Sequence, residues 1–327
     1  MRSLYLSQQG SYVSLAQQSL VVSYKRVEIQ RIQLPLLEQV MVFGQSQLTT
    51  PAIRACLQRD IPIAYLSRLG FCYGRSLAIE RGYRQLSRYQ QELSIVDRLV
   101  TAQRIVQAKL KNSRVLLQRQ QRRSDRGMDG AIAQLGRLGE QALVMTEVDR
   151  LMGVEGVGAA VYFEAFGRCL ENQDFVFVSR SRRPPGNPVN AMLSFGYQVV
   201  WNHLLTLVEL QGLDPYFACL HSDSARHAAL VSDLLEEFRA PIVDSLVLYL
   251  VNRRMIDAGV DFEFRDGGCF LNQAGRKKFL SAFLGRMEEA IVSEDGQPRW
   301  ELLNRQVKRY KQFVYQPVYA YEPFLIR

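Results

Sequence analysis

The chain has little of what staples small folds or binds soft metals. Its five cysteines (Cys56, Cys72, Cys169, Cys219 and Cys269) are odd in number, far apart and never arranged as CxxC. Neither a disulfide framework nor a zinc module is supported, and a reducing cytoplasm is the expected compartment. No apolar run approaches the roughly 18 residues of a membrane span. The opening stretch MRSLYLSQQGSYVSLAQQ alternates with polar residues, so it does not read as a signal peptide. GxxxxGK[ST], HExxH and GxSxG are absent, as is a GxGxxG following a strand. Their absence argues against a P-loop NTPase, a zincin, an α/β-hydrolase and Rossmann-type nucleotide binding. No internal repeat and no low-complexity linker interrupts the sequence.

What remains is an ordinary globular composition, with 47% hydrophobic and 22% charged residues. At 327 residues the chain is long for one core, so two domains are expected. The net charge of +9 is uneven. Residues 1–150 carry 22 Lys+Arg against 11 Asp+Glu, and residues 151–327 carry 19 against 21. A basic front with a mildly acidic back suggests a polyanionic partner, although a basic pI by itself reports solubility first.

Residues 1–75 read as β-rich. Short runs such as SYVSL, SLVVSY, VMVFG and IPIAYLS alternate with turn-like stretches, and one helix is expected after the Thr49-Thr50-Pro51 cap. From about residue 80 the period becomes helical. Helices are predicted over 80–121, 131–151, 155–170, 188–211, 227–238 and 241–258. A hairpin at DFEFRDGGCFLNQ, two more helices and an extended aromatic tail follow. The fold class is α+β with two domains: a small β-sandwich-like domain over 1–78, and a larger all-α catalytic domain over 79–327.

Three stretches carry candidate chemistry. GVEGVGAAVYFEAFG places Glu155 near a helix start, where a carboxylate also suits the helix dipole. SRSRRPPGNPVNAMLSFGY sets Arg180, Arg182 and Arg183 on a proline-rich loop, with Asn187 and Asn190 flanking Pro188. Such a loop suits phosphate contact and equally suits a solvated connection. GLDPYFACLHSDSARHAALVSDLLEEFR places His221 before a helix with Asp233, Glu236 and Glu237 opposite an apolar stripe. Asp233 and Glu236, three apart, share a face. A solvated acidic face and a metal-ligand pair are both open at this point. His203 reads as a satisfied core histidine, and His227 as a bystander or phosphate contact.

These three stretches occur in an order that resembles the CRISPR-associated endonuclease and integrase family, subunit one of the spacer-acquisition machinery. SLYLSQQGSYVSL, VMVFG and IPIAYLSRLGFCYGR resemble that family's N-terminal β domain. The resemblance implies a divalent-metal-dependent enzyme acting on DNA, with Glu155, His221 and Glu236 as catalytic ligands of Mg²⁺ or Mn²⁺. Asp233 is the supporting acidic position and Glu237 the bystander; some relatives carry aspartate where this chain has Glu236. Arg180, Arg182, Arg183, Asn187 and Asn190 would contact DNA. The implied chemistry joins 3′-OH ends of captured DNA (the spacer precursor) to the repeat–leader target, with hydrolysis as the related activity. The implied assembly is a homodimer, two of which are bridged by a small subunit two. A non-catalytic nucleic-acid scaffold on the same fold is the alternative.

Overall fold

The computed structural model describes residues 2–6, 8–67, 72–78, 83–124, 126–222, 227–291 and 297–326. The N-terminal part is β-rich: β1 (Arg2–Leu6), β2 (Tyr12–Ala16), β3 (Ser19–Tyr24), β4 (Val27–Gln33), β5 (Leu37–Phe43), β6 (Gln47–Leu48), helix α1 (Thr50–Leu57), β7 (Ile63–Leu66) and β8 (Cys72–Ser76). The parallel strands β5 and β7 are nearly continuous buried apolar runs, and the Thr49 hydroxyl caps α1 as its sequence predicts. Two four-stranded sheets result, ordered β1-β5-β7-β8 and β4-β3-β2-β6. One apolar cluster joins both sheets to α1, including Leu4, Val13, Leu20, Val40, Ala52 and Ile63. The layering departs from a simple sandwich of hairpins. β1, β5 and β7 pair in parallel, which requires crossovers, and α1 lies in the connection between β5 and β7.

The C-terminal part is helical: α2 (Tyr83–Gln91), α3 (Ile95–Gln121), α4 (Asp129–Ala142), α5 (Val148–Gly167), α6 (Pro188–Leu210), α7 (Ala229–Glu236), a π-helical turn (Arg239–Asp244) and α8 (Ser245–Asn252). The hairpin β9 (Phe262–Arg265) and β10 (Gly268–Leu271) follows. Then come α9 (Gln273–Glu288), the short pair β11 (Ala290–Ile291) and β12 (Gln297–Pro298), and α10 (Trp300–Tyr315). Asp266 and Gly267 both adopt positive φ at the hairpin turn, the geometry that a two-residue turn of this hand requires.

Several boundaries differ from the periodicity reading. The helix expected over 80–121 breaks before Ser94, whose hydroxyl accepts from the Asp97 N–H and starts α3 afresh. The break expected near 152–154 lies instead at 143–147, so Glu155 sits inside α5 rather than at its start, and a capping role falls away. The helix expected over 241–258 ends at Asn252. The domain boundary expected at 78/79 abuts residues 79–82, which lie outside the described set.

A large apolar cluster spans α2 to α10. Two glycines let its helices approach closely. A Cβ on Gly158 of α5 would stand 2.3 Å from Leu110 of α3, and one on Gly196 of α6 would stand 2.5 Å from Val243 of the π-helical turn. The β-rich part seats on the helices through buried Met41, Phe43, Ala64 and Leu66 against Leu210, and through an Arg75–Glu209 ion pair. Among the described residues no helix is long and apolar enough to cross a membrane.

Candidate active site

α3 supplies a residue that the motifs did not single out. Lys109 lies on the buried stripe with Ile105, Val106, Asn112, Ser113 and Leu116. Its ammonium binds Glu155 of α5 and, at 2.6 Å, Glu236 at the end of α7. Gly158, one turn beyond Glu155, removes the side chain that would hold α5 away from α3, so the two carboxylates converge on one point. The signal for Lys109 was present in the sequence: it is the one charged residue on the buried stripe of this helix, and such a charge needs a partner.

Glu236 is also held by Arg239, whose Nε donates at 2.9 Å. Burial opposes its charge, but Arg239 and Lys109 overcome that and hold the carboxyl far below the usual range. The Arg239 guanidinium lies 4.4 Å from the Tyr197 ring centroid. Tyr197 and Tyr162 both donate to the buried Asp244, which burial pushes up to about 6 against the pull of those hydroxyls. A continuous set of contacts thus runs from Asp244 through Tyr197 and Arg239 to Glu236.

Asp233, expected as the supporting acidic position, stands behind His221. It is fully buried, and its two oxygens accept from the backbone N–H groups of Cys219, Leu220 and His221 and from His221 Nδ1 at 2.7 Å. These bonds tie it to the His221 ring and to the loop before it, so it anchors the histidine, as a supporting acidic position would. Burial disfavours the imidazolium of His221, yet the Asp233 hydrogen bond and charge raise its pKa overall. With Nδ1–H turned to the carboxylate, Nε2 is the acceptor on the opposite side of the ring. His221 also feels the charges of Glu236 and Lys109, which places it beside the carboxylate pair.

The acidic face of α7 is not solvated. Glu237, expected as a bystander, is fully buried and accepts from the Tyr321 hydroxyl and, at 2.7 Å, from the Phe324 N–H. Burial pushes it up to about 8. It fastens the C-terminal tail to the bundle. His203 is a core residue, but not a satisfied one. Among the described residues neither of its ring nitrogens has a hydrogen-bond partner, and it lies among Tyr5, Phe43 and Trp300. His227 bonds Ser232 at 2.8 Å and stacks on Trp201.

The arginine–asparagine loop divides. Arg180 is tied to Asn190 at 2.8 Å and to Ser194 at 2.9 Å. Asn190 is fully buried, donates to Ser179 and accepts from the Ser181 N–H, while Asn187 caps α6. All three shape the loop; Asn190 is buried within it, whereas Arg180 is half-buried and lines a cavity of about 550 Å³ beside Arg182. Arg182 and Arg183 are exposed. The charge of Arg183 lowers the pKa of His227 after burial and His221, so it lies on the histidine side of the site. Residues 223–226, in the polar loop after His221, lie outside the described residues.

Hard oxygen donors with one imidazole suit Mg²⁺ or Mn²⁺, and the Glu155–Glu236 convergence already holds a cation, so the donor chemistry fits such an ion. In the present arrangement that cation is Lys109. Among the described residues no three His, Cys, Asp or Glu side chains stand close enough to share a metal.

An α+β chain with carboxylates from two helices facing an aspartate-anchored histidine defines an acid–imidazole site on a helical scaffold. The family described as CRISPR associated protein Cas1 matches residues 4–284, and the chain belongs to that family. It is 32% identical over 311 residues to a "CRISPR-associated endonuclease Cas1 1" of Thermus thermophilus, covering 94% of this chain and 95% of the relative. It is 34% identical over 301 residues to a "CRISPR-associated exonuclease Cas4/endonuclease Cas1 fusion" of Geobacter sulfurreducens, covering 88% of this chain and spanning 53% of that longer protein. The fold matches a chain of a "Partial Cas6-RT-Cas1--Cas2 complex" with TM-score 0.85 at 24% identity, covering 99% of this chain and 98% of the other. It also matches a "Casposase bound to integration product" with TM-score 0.76 at 20% identity, covering 97% and 96%. The family expected from the three ordered motifs is the family found.

Proposed function

We propose that this chain is a metal-dependent DNA integrase and endonuclease of CRISPR adaptation, joining 3′-OH ends of captured DNA to the repeat array and hydrolysing phosphodiesters as the related activity. The observation that carries this reading is the meeting of Glu155 and Glu236 on one cation beside a histidine that Asp233 orients. Glu155, Glu236 and His221 would hold Mg²⁺ or Mn²⁺, with Lys109 giving up its place between the carboxylates. The ion would supply charge neutralisation at the scissile phosphate and a more acidic attacking hydroxyl. Asp233 keeps the imidazole acceptor turned toward the site, and Arg239 fixes the Glu236 rotamer. Arg182 and Arg183 offer exposed guanidinium forks to the DNA backbone. The two structural neighbours, one a complex with Cas2 and one bound to an integration product, support a DNA substrate and a bridging subunit two.

We also assign homodimer formation to the N-terminal domain, where Tyr12, Val27, Ile29 and Leu36 leave an apolar surface exposed. Five free cysteines suit a cytoplasmic setting.

The deciding experiment joins a 3′-OH oligonucleotide to a repeat-containing target with Mg²⁺, Mn²⁺ or chelator. Glu155→Ala, His221→Ala and Glu236→Ala should each abolish joining while the fold persists by circular dichroism. Full activity in all three would reject the proposal. The alternative, a nucleic-acid scaffold without catalysis, predicts salt-sensitive DNA binding that no divalent ion changes.

A further inference from the structure

Away from the carboxylates lies a cavity of about 1,010 Å³ between the end of α3, the π-helical turn, α8, α9, the start of α10 and the C-terminal tail. None of its lining residues is Lys109, Glu155, His221 or Glu236. The π-helical turn divides the two regions: Arg239 bonds Glu236 and Asp244 receives the two tyrosines, while Pro241 and Ile242 line the cavity. Along α3, Lys109 and Gln120 are separated by roughly 16 Å of helix rise.

Five arginines line it: Arg119, Arg123, Arg253, Arg286 and Arg299, of which Arg299 is already paired with Glu289 at 2.6 Å. Glu171, the lining carboxylate, is already paired with Arg126 at 2.6 Å. Arg123 and Arg253 are exposed. Arg286 is half-buried, donates to Ser245 at 2.8 Å and lies 5.4 Å from the Tyr249 ring centroid. Burial and the nearby Arg299 both work against its charge, a cost that an anion would relieve. Beside these cations stand apolar surfaces that water does not favour: Tyr249 is 43% exposed and Leu325 47%.

Guanidinium forks with an exposed aromatic ring, itself backed by an arginine, match a nucleotide: phosphate on the cations, base on the ring. The volume reaches the upper end of the ~300–1,000 Å³ of small-ligand pockets, more than a lone phosphate needs. An acidic peptide would use the arginines and leave Tyr249 without a role. We propose that this cavity is a second nucleic-acid site that holds a single-stranded segment, with phosphates on the arginines and a base against Tyr249. The site stands independently of catalysis at the carboxylates.

The test uses the full chain and an oligothymidylate of about eight nucleotides carrying one 5-iodouracil, within the site sizes of single-strand binders. Photo-crosslinking followed by mass spectrometry should place the probe on Tyr249. The double variant Arg123→Glu/Arg253→Glu changes exposed residues and should keep the wild-type melting temperature. It should bind the probe at least tenfold more weakly, with a salt-dependence slope smaller by roughly 1.4, as two lost phosphate contacts require. Tyr249→Ala should lose the cross-link and weaken binding by about tenfold. Unchanged affinity and slope in the double variant, with cross-links elsewhere, would overturn the proposal. So would a polyglutamate peptide that the wild type binds and the double variant does not, if oligothymidylate binding stays equal. End-joining is read in a separate assay, so failure of the carboxylate site leaves this result interpretable.

Discussion

Two histidines in this chain experience opposite fates. His221 lies at the candidate site, partly exposed, with Nδ1 on the Asp233 carboxylate, and its pKa is raised. His203 lies in the seam between the β-rich and helical parts, among aromatic rings, and burial lowers it to about 3. Burial opposes the charge in both. What separates them is a carboxylate within hydrogen-bond reach, present for one and, among the described residues, absent for the other. The same contrast divides two neighbours on α7. Glu236 meets Lys109 and Arg239 and stays ionised, while Glu237 meets a tyrosine hydroxyl and a backbone amide and is pushed up to about 8. The chemistry a side chain can do here depends on which helix lies opposite it.

The sharpest way to break the comparison is at the candidate site. Glu155→Gln and Glu236→Gln keep shape and remove charge, and each should lower end-joining by more than about a hundredfold, read by gel assay with Mn²⁺. Next comes Asp233→Asn. It leaves His221 without its charged partner and strains the amides of Cys219, Leu220 and His221, so joining should fall about 10–100-fold. If activity is unchanged, the histidine does not need its anchor.

Lys109→Met leaves Glu155 without its cation and facing Glu236, which keeps Arg239 alone. Chemical denaturation in chelator should show a loss of ~3–5 kcal/mol, and added Mn²⁺ should restore part of it. No loss would mean the ion pair contributes nothing to the fold.

The smallest effect belongs to His203. Its folded-state pKa lies below the unfolded value of 6.5, so the unfolded chain takes up the extra proton. This contribution to stability is full above about pH 6.5 and declines as pH falls toward about 3, by at most ~1.4 kcal/mol per pH unit. His203→Phe should flatten that part of the stability–pH curve and, by removing ring nitrogens without partners, stabilise by ~1–3 kcal/mol at neutral pH. An unchanged slope would show that the histidine is hydrated or paired.

Local chemistry made much of the chain legible in advance. The strands over 1–75, the Thr49 cap, the Asp266-Gly267 hairpin and the helical second half follow from side-chain period and turn residues, which act within a few positions, whereas period alone misses the Ser94 cap that splits the helix expected over 80–121. The order of the Glu155, arginine–proline and His221 stretches was enough to indicate the family. The positions of Glu155, His221 and Glu236 could be named, yet their environment could not. Periodicity assigned Asp233, Glu236 and Glu237 to one polar face, and no pattern within α7 reveals that this face is buried.

The tertiary structure decided those environments because each depends on partners far away in the sequence. Lys109 reaches Glu155 and Glu236 from another helix, Asp233 collects the amides of the preceding loop, and Tyr321 and Phe324 come from the C-terminal tail to close on Glu237. The arginine cavity likewise assembles from several elements, none basic enough by itself to mark a site. Sequence by itself determined which segments become strands and helices and which family they compose. Packing alone determined which charges meet, because the energy of a buried charge is set by what stands against it.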